Sequence, residues 1–287
     1  MLIFILCILG LIFIAENVRE LRTFRVKTYR ITSHKLNGIK NRKIVFLSDL
    51  HNCSYGKRNG RLLAAVRKER PDLILIGGDM LVRRNGSSYA DTLRFVSRLT
   101  SIAPVYYANG NHEQKLKEET GRYDQSYAAY KKSLTEAGVI FLENEAVLWR
   151  PDNVRIRISG LEIPLSSYEK LGKRGLSVRQ IEDRIGRADP SFQILLAHNP
   201  AYVRQYEEWG AELILCGHLH GGLVGIPGVG GVISPDFRLF PAYSAGIYRE
   251  PKADVVVSRG LGTHSVPIRF LNPAELVVLE LHGFNEL

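Results

Sequence analysis

Short apolar runs recur along this chain, and through most of its length a segment of helical periodicity separates one from the next. Lys43-Ile44-Val45-Phe46-Leu47 is β-prone, residues 61–70 carry Leu62, Leu63 and Val66 at helical spacing, and Pro71 stops that helix. Leu73-Ile74-Leu75-Ile76 follows, then a helical segment over residues 89–99, then Pro104-Val105-Tyr106-Tyr107-Ala108. Residues 123–137 read as an amphipathic helix, and residues 139–142, 146–149 and 154–158 as short strands. A helix over 178–187, a strand over 191–197, a short helix over 202–209 and a buried strand over 211–216 complete the alternation. Residues 222–246, rich in Gly and Pro, form a long shaped loop, and strands over 254–258 and 275–281 close the chain. Alternation of this kind predicts an α/β layered fold, and in such sheets ligands gather at the carboxyl ends of the strands.

Those ends carry a consistent set of residues. The strand at 43–47 leads to Asp49 and His51, that at 73–76 to Asp79, that at 104–108 to Asn111 and His112, that at 191–197 to His198, and that at 211–216 to His218 and His220. In extended backbone, residues i and i+2 point the same way, so His218 and His220 are expected to face one site. Singly, each residue has an ordinary structural explanation, such as a helix cap, a turn or a satisfied polar group. Five coincidences of oxygen and imidazole donors at strand ends point instead to a metal site.

The remaining features bound the partners. The 287 residues carry a net charge of +10 with pI near 9.5, which favours anionic partners such as phosphate esters, nucleic acid or acidic lipid head groups. The basic residues are scattered, and neither an RNA-recognition signature nor zinc-finger spacing is present, which argues against a nucleic-acid-binding module. Three widely spaced cysteines, Cys7, Cys53 and Cys216, imply no disulfide framework. Residues 1–15 are apolar apart from Gly10, and Arg19, Arg22, Arg25, Lys27 and Arg30 follow them. This predicts an uncleaved single-pass membrane helix and basic collar over residues 1–30, ahead of a catalytic domain over 31–287 on the cytoplasmic face. The collar is also expected to touch acidic lipid heads.

With these motifs in place, the chain resembles the calcineurin-like metallophosphoesterase superfamily. The resemblance rests on Asp49-x-His51, Gly78-Asp79, Gly110-Asn111-His112-Glu113, His198 and Gly217-His218-x-His220, in the family's order and spacing. Gly221-Gly222, Ile233-Ser234-Pro235, Leu239-Phe240-Pro241, Tyr248 and residues 258–263 and 267–269 make it similar to a bacterial, membrane-anchored branch. The resemblance implies a four-layer αββα sandwich, with the N-terminal hydrophobic helix added, and two divalent metal ions: Mn, Fe or Zn. Asp49, His51, Asp79 and His220 would hold one ion, and Asp79, Asn111, His198 and His218 the other. Asp79 would then bridge, and a metal-bridging hydroxide would hydrolyse a phosphodiester or pyrophosphate. His112 would sit near the leaving-group oxygen as proton donor or charge stabiliser. The anchor and collar extend the expected substrates to lipid-linked phosphate esters, including a UDP-2,3-diacylglucosamine-type pyrophosphate. A non-catalytic scaffold and a nuclease on the same fold are the competing classes, and the intact ligand set argues against the first of them.

Two positions depart from the family pattern. Many members carry an acidic residue three positions after the bridging Asp, where it orients the catalytic histidine; here Val82 stands there. The orientation of His112 is therefore expected to come from a backbone carbonyl or a water, and its contribution to be smaller than usual. The other is Leu223, where polar residues are common. Asn52, Arg83, Arg84, Arg259, Arg269 and His264 are weaker candidates for supporting roles.

Overall fold

The computed structural model describes residues 1–123, 126–169, 175–226, 230–233, 239–263 and 266–284. In chain order the elements are α1 (Leu2–Arg22), β1 (Phe24–Thr32), β2 (Arg42–Leu47), α2 (Gly60–Glu69), β3 (Leu73–Ile76), α3 (Ala90–Leu99) and β4 (Val105–Tyr107). Then come α4 (Asn111–Glu118), α5 (Ser126–Glu136), β5 (Val139–Phe141), β6 (Glu145–Trp149), β7 (Ile156–Leu161), α6 (Val178–Ile185), β8 (Phe192–Ala197), α7 (Val203–Trp209) and β9 (Leu213–Cys216). The chain ends with β10 (Gly225–Ile226), β11 (Gly230–Gly231), β12 (Gly246–Arg249), β13 (Asp254–Val257) and β14 (Ala274–His282).

Two six-stranded sheets form, in the orders β1-β14-β2-β3-β4-β5 and β12-β13-β9-β8-β7-β6. Strands β2 to β5 run parallel to one another, as do β7, β8, β9 and β13, while β6 and β12 join as antiparallel edges. The central strands are buried along their whole length: Leu73–Ile76, Phe192–Ala197 and Leu213–Cys216 show no exposed position. A parallel strand covered on both faces is apolar throughout rather than alternating, which explains why these runs were visible in the sequence.

Three apolar clusters set the layers. Ile44, Phe46, Leu73 and Leu75 of the first sheet pack against Ile156, Ile194, Leu213 and Val256 of the second. On the outer face of the first sheet, Val45, Ile74 and Val105 meet Leu62, Phe95 and Leu134 from α2, α3 and α5. On the outer face of the second, Leu195, Ile214 and Val255 meet Ile181 of α6 and Tyr206 of α7. The order across the molecule is helices, sheet, sheet, helices. Burial of these side chains is the main favourable term in such a fold, roughly 1.5–3 kcal/mol for each large apolar side chain removed from water.

The N-terminal segment corrects an expectation. Among the described residues no helix is long and apolar enough to cross a membrane. Helix α1 carries Glu16, Arg19, Glu20 and Arg22 in its second half, and that half is docked on the domain. Glu20 is buried and accepts from the Asn272 backbone N–H at 2.7 Å, Asn17 accepts from the Arg269 N–H at 2.8 Å, and Phe13 packs on Phe270. The apolar stretch over residues 1–15 spans only about 22 Å at ~1.5 Å per residue, against a hydrocarbon core of ~30 Å. The single-pass anchor, the placement of the catalytic domain on the cytoplasmic face and the membrane-anchored branch therefore do not hold. The basic residues assigned to a collar lie elsewhere too: Arg25, Lys27 and Arg30 sit on β1, an edge strand paired parallel to β14. The boundary expected after residue 30 falls inside that strand.

Candidate metal centre

The carboxyl ends of β2, β3, β4, β8 and β9 meet at one edge of the sandwich, and the chain turns sharply at each. Five of the candidate residues, Asp49, His51, Asp79, His218 and His220, have positive φ between 46° and 71°. A left-handed L-residue costs roughly 1–2 kcal/mol, and such strain concentrates where side chains must be aimed. The glycines of these motifs allow the close approach. Gly78 has φ +88°, and a Cβ there would run into the backbone nitrogen of Gly110; a Cβ at Gly217 would run into the Asp49 carboxylate and the Ser48 hydroxyl. His218 and His220 are thus not extended, and they do not share one target as the two-residue spacing suggested.

The side chains converge in three groups: Asp49 with His51 and His220, Asp79 with His198 and His218, and His51 with Asp79 and His112, the donor atoms within 4.8 Å in each. All are buried except His218, which is half-buried. Asp49 Oδ1 lies 3.4 Å from His220 Nε2 and 3.7 Å from His198 Nε2. Asp79 Oδ2 lies 3.1 Å from His198 Nε2, 3.8 Å from His51 Nε2 and 4.0 Å from His112 Nε2. His51 Nε2 and His220 Nε2 face each other at 3.2 Å. Asn111 is buried, and its Oδ1 has no hydrogen-bond partner among the described residues. A buried amide oxygen without a partner costs free energy unless something else is bound there. Carboxylate and imidazole donors gathered within 4.8 Å of one another, with the unpartnered amide oxygen of Asn111 next in sequence to His112, fit a divalent transition metal without choosing among Mn, Fe and Zn.

Backbone groups fix how each ring is presented. His198 Nδ1 donates to the Gly77 carbonyl at 2.8 Å and His220 Nδ1 to the Gly262 carbonyl at 3.0 Å. Both therefore aim an Nε2 lone pair into the centre, the arrangement a metal ligand requires. His112 is reversed: its Nδ1 accepts the backbone N–H of Arg83 at 2.9 Å. The neutral ring then carries its proton on Nε2, which makes it a donor into the centre and a poor ligand. The orientation expected from a carbonyl or a water comes from an N–H, and the sign of the polarity is opposite. The site edge is also asymmetric electrically. Burial alone would raise the Asp79 carboxyl, but His198, His112 and His51 around it outweigh burial and hold it well below the usual carboxylate range. Burial disfavours the charged His198 ring, yet the Asp79 and Asp49 carboxylates raise its affinity for a proton. A metal entering the site must displace that proton.

Several supporting residues lie outside the ligand motif. Glu113 is fully buried; it accepts from the backbone N–H groups of Asp79 at 2.8 Å, Leu81 at 3.0 Å and Gly110 at 3.1 Å, and from the Tyr107 hydroxyl at 3.0 Å. It ties the loop after β3 to the loop after β4. Ser48 donates to Asp49 Oδ2 at 2.6 Å. Arg269 is buried and donates to the carbonyls of Arg259, Gly260 and Gly262, the last of which also holds His220. Asn272 donates to the His220 and Gly222 carbonyls, and its Oδ1 accepts from Arg259. Arg259 and Arg269 thus shape the loops. Tyr168 packs its ring 5.3 Å from His218 and 6.5 Å from His198, a contact no motif announced. Asn52 accepts from Thr92, and Leu223 joins Ile233 through its backbone. His264 lies outside the described residues.

Known proteins resemble this chain over most of its length. The uncharacterized metallophosphoesterase YkuE of Bacillus subtilis is 28% identical over 87% of this chain and 82% of its own. The phosphodiesterase YaeI of Escherichia coli is 28% identical over 88% of each chain, and an uncharacterized metallophosphoesterase of Aquifex aeolicus is 28% identical over 98% of each. The model of the calcineurin-like phosphoesterase family matches residues 42–222, from the start of β2 through the Gly221-Gly222 turn, and the chain belongs to that family of metal-dependent phosphoester hydrolases.

Proposed function

We propose that the chain is a dinuclear phosphodiesterase or pyrophosphatase. The observation that carries this reading is the position of Asp79. Its Oδ2 lies 3.8 Å from His51 Nε2 and 3.1 Å from His198 Nε2, so this one carboxylate is within reach of a donor from each of the two sets, which supports the reading. Asp49, His51, Asp79 and His220 hold one ion, and Asp79, Asn111, His198 and His218 the second. Bound ions supply a water acidified towards neutral pH and offset charge on the phosphoryl oxygens. His112, whose Nδ1 accepts the Arg83 N–H, presents Nε2–H towards the leaving-group oxygen. Glu113 keeps the two loops that bear Asp79 and Asn111 in register.

The likeness to the phosphodiesterase YaeI supports a diester-type substrate. The lipid-linked alternative, a UDP-2,3-diacylglucosamine-type pyrophosphate, rested on the membrane anchor and loses its support with it. The scaffold alternative is disfavoured by the converging donor set. The test is the full chain, since β1 belongs to the first sheet, loaded with Mn and assayed on bis-p-nitrophenyl phosphate, a nucleotide sugar and DNA. Metal-dependent turnover of the diester with close to two metals per chain is expected. Fewer than one bound metal after loading, or metal bound without turnover of any substrate, overturns the reading.

A further inference from the structure

Helix α1 reaches the metal centre through the loop between β13 and β14. Asn17 and Glu20 stand three residues apart on α1, so they share a face of the helix. Glu20 accepts the Asn272 backbone N–H at 2.7 Å, while Asn17 accepts that of Arg269 at 2.8 Å and donates to the Pro267 carbonyl at 3.3 Å. Asn272 and Arg269 are the residues that hold His220. The Asn272 side-chain amide donates to the His220 carbonyl at 2.7 Å and to the Gly222 carbonyl. Arg269 donates at 2.6 Å to the Gly262 carbonyl, which also accepts from His220 Nδ1 at 3.0 Å. One route from α1 thus ends on the backbone of His220 and the other on its ring. His198, in the second donor set, takes its orientation from the Gly77 carbonyl on the loop after β3 instead.

Docking of the helix does not by itself call for a carboxylate here. Glu20 is buried, it faces a neutral N–H, and Arg19, 3.4 Å away, is exposed. Burying a carboxylate costs free energy unless it is hydrogen-bonded, and an apolar side chain would dock α1 without that cost. What Glu20 fixes is a strained turn. Leu271 has φ 53°, a conformation disfavoured for any L-residue other than glycine, and its side chain is exposed while Asn272 is fully buried. Room around Asn272 is short: Gly221 has φ +69°, and a Cβ there would run into the Asn272 Oδ1. A shift of Asn272 therefore passes directly to His220. We infer that Asn17 and Glu20 are positioning residues for His220, so that the ion assigned to Asp49, His51, Asp79 and His220 is held only as well as α1 is docked. This rests on the proposed two-ion reading and adds what controls one of the two ions.

A double-mutant cycle on Mn binding to the full chain tests this without turnover, read by titration with the EPR signal of free Mn. In the wild-type background, Glu20→Ala should weaken one of the two ions about 10–100-fold and leave the other unchanged. In a His220→Ala background, where that ion has already lost a ligand, Glu20→Ala should change nothing further, because substitutions that act through one residue do not add. Glu20→Gln keeps an oxygen for the Asn272 N–H and should restore wild-type binding, and Glu16→Gln, which removes the charge paired with Arg19 on the same helix, should leave both ions as they were. If Glu20→Ala does not fold, Asn17→Ala, which cuts only the route to the ring, is read in the same cycle and should weaken the same single ion. An equal loss from both ions, the same loss in both backgrounds, or two ions bound as tightly as in the wild type overturns the inference and reduces these residues to docking contacts. Fewer than two Mn bound by the wild type overturns the two-ion reading itself, and the inference with it.

Discussion

At the amino-terminal edge of the strands, Arg42 meets Asp152 through two hydrogen bonds of 2.7 Å and Asp72 through a third. At the carboxyl-terminal edge, Asp49 and Asp79 meet imidazoles and backbone N–H groups, and among the described residues no Lys or Arg pairs with either. Both edges tie the first sheet to the second. At the amino-terminal edge Asp72 and Asp152 share the Arg42 guanidinium, and the side chains are partly open to water. The site edge is dry: its carboxylates are fully buried, five of its side chains are held at left-handed backbone, and a buried amide oxygen is left over. A protein that can pair a carboxylate so readily at one end, and does not at the other, has kept the second set for something it binds.

The largest effect should come from breaking the dry edge at its centre. Asp79→Asn removes the charge proposed to serve both donor sets. Turnover of bis-p-nitrophenyl phosphate should fall at least about 10³-fold, a loss of roughly 4 kcal/mol, and metal content should drop to one per chain or less by elemental analysis. The matching change at the other edge, Asp152→Asn, should leave both measurements where they were. Retention of two metals and near wild-type turnover in Asp79→Asn would remove the distinction between the edges.

Next in size is His112, which marks the boundary between binding and chemistry within the site. General acid–base groups contribute typically 10²–10⁴-fold. With no carboxylate behind it and Arg83 N–H on its Nδ1, His112 should sit low in that range, so His112→Ala is expected to cost less than about 10³-fold in kcat with metal content unchanged. A loss above that in both His112→Ala and His112→Asn would show that the ring does more than donate a hydrogen bond.

Glu113→Gln sharpens the comparison from below. Burial, and then the nearby Asp79 charge, raise the Glu113 carboxyl to about 7, yet it accepts three backbone N–H bonds. An amide there turns an NH₂ towards those donors and loosens two ligand loops at once. Metal affinity should weaken about 10–100-fold, as for other residues that hold ligands in place, measured by titration with Mn. An unchanged affinity beside a lowered Tm would reduce Glu113 to a packing role.

What the sequence disclosed follows the same division. The candidate ligands were legible because each follows an apolar parallel strand, and topology carries such ends to one edge. What orients them was not legible, because it lies in backbone groups and distant contacts. Arg83 N–H on His112, the Gly262 carbonyl shared by His220 and Arg269, and the Glu20–Asn272 bond across 252 residues leave no mark in local spacing. Strand β1 was missed for a different reason. Its exposed cations follow an apolar helix, and a charge pattern at a helix end outweighed the buried Tyr29 and Ile31 that mark a strand.

The smallest effect belongs to the paired edge, and its sign can be worked out. The Arg42 guanidinium, then the Lys40 backbone N–H, lower the Asp152 carboxyl to about 2 from its ordinary 3.8. A carboxyl depressed in the folded state favours folding at every pH above its unfolded value and loses that contribution as pH falls through the folded one. Arg42→Ala should therefore lower Tm slightly at pH 7, and the gap to the wild type should narrow below about pH 4 and close near pH 2. Because these groups are open to water, added salt should shrink the gap at pH 7 as well. Turnover at saturating Mn should not move, since the pair lies at the far ends of the strands from Asp79. A gap that stays constant down to pH 2 would mean that Arg42 acts through its aliphatic stem and not through its charge, and the amino-terminal edge would then be packed, not paired.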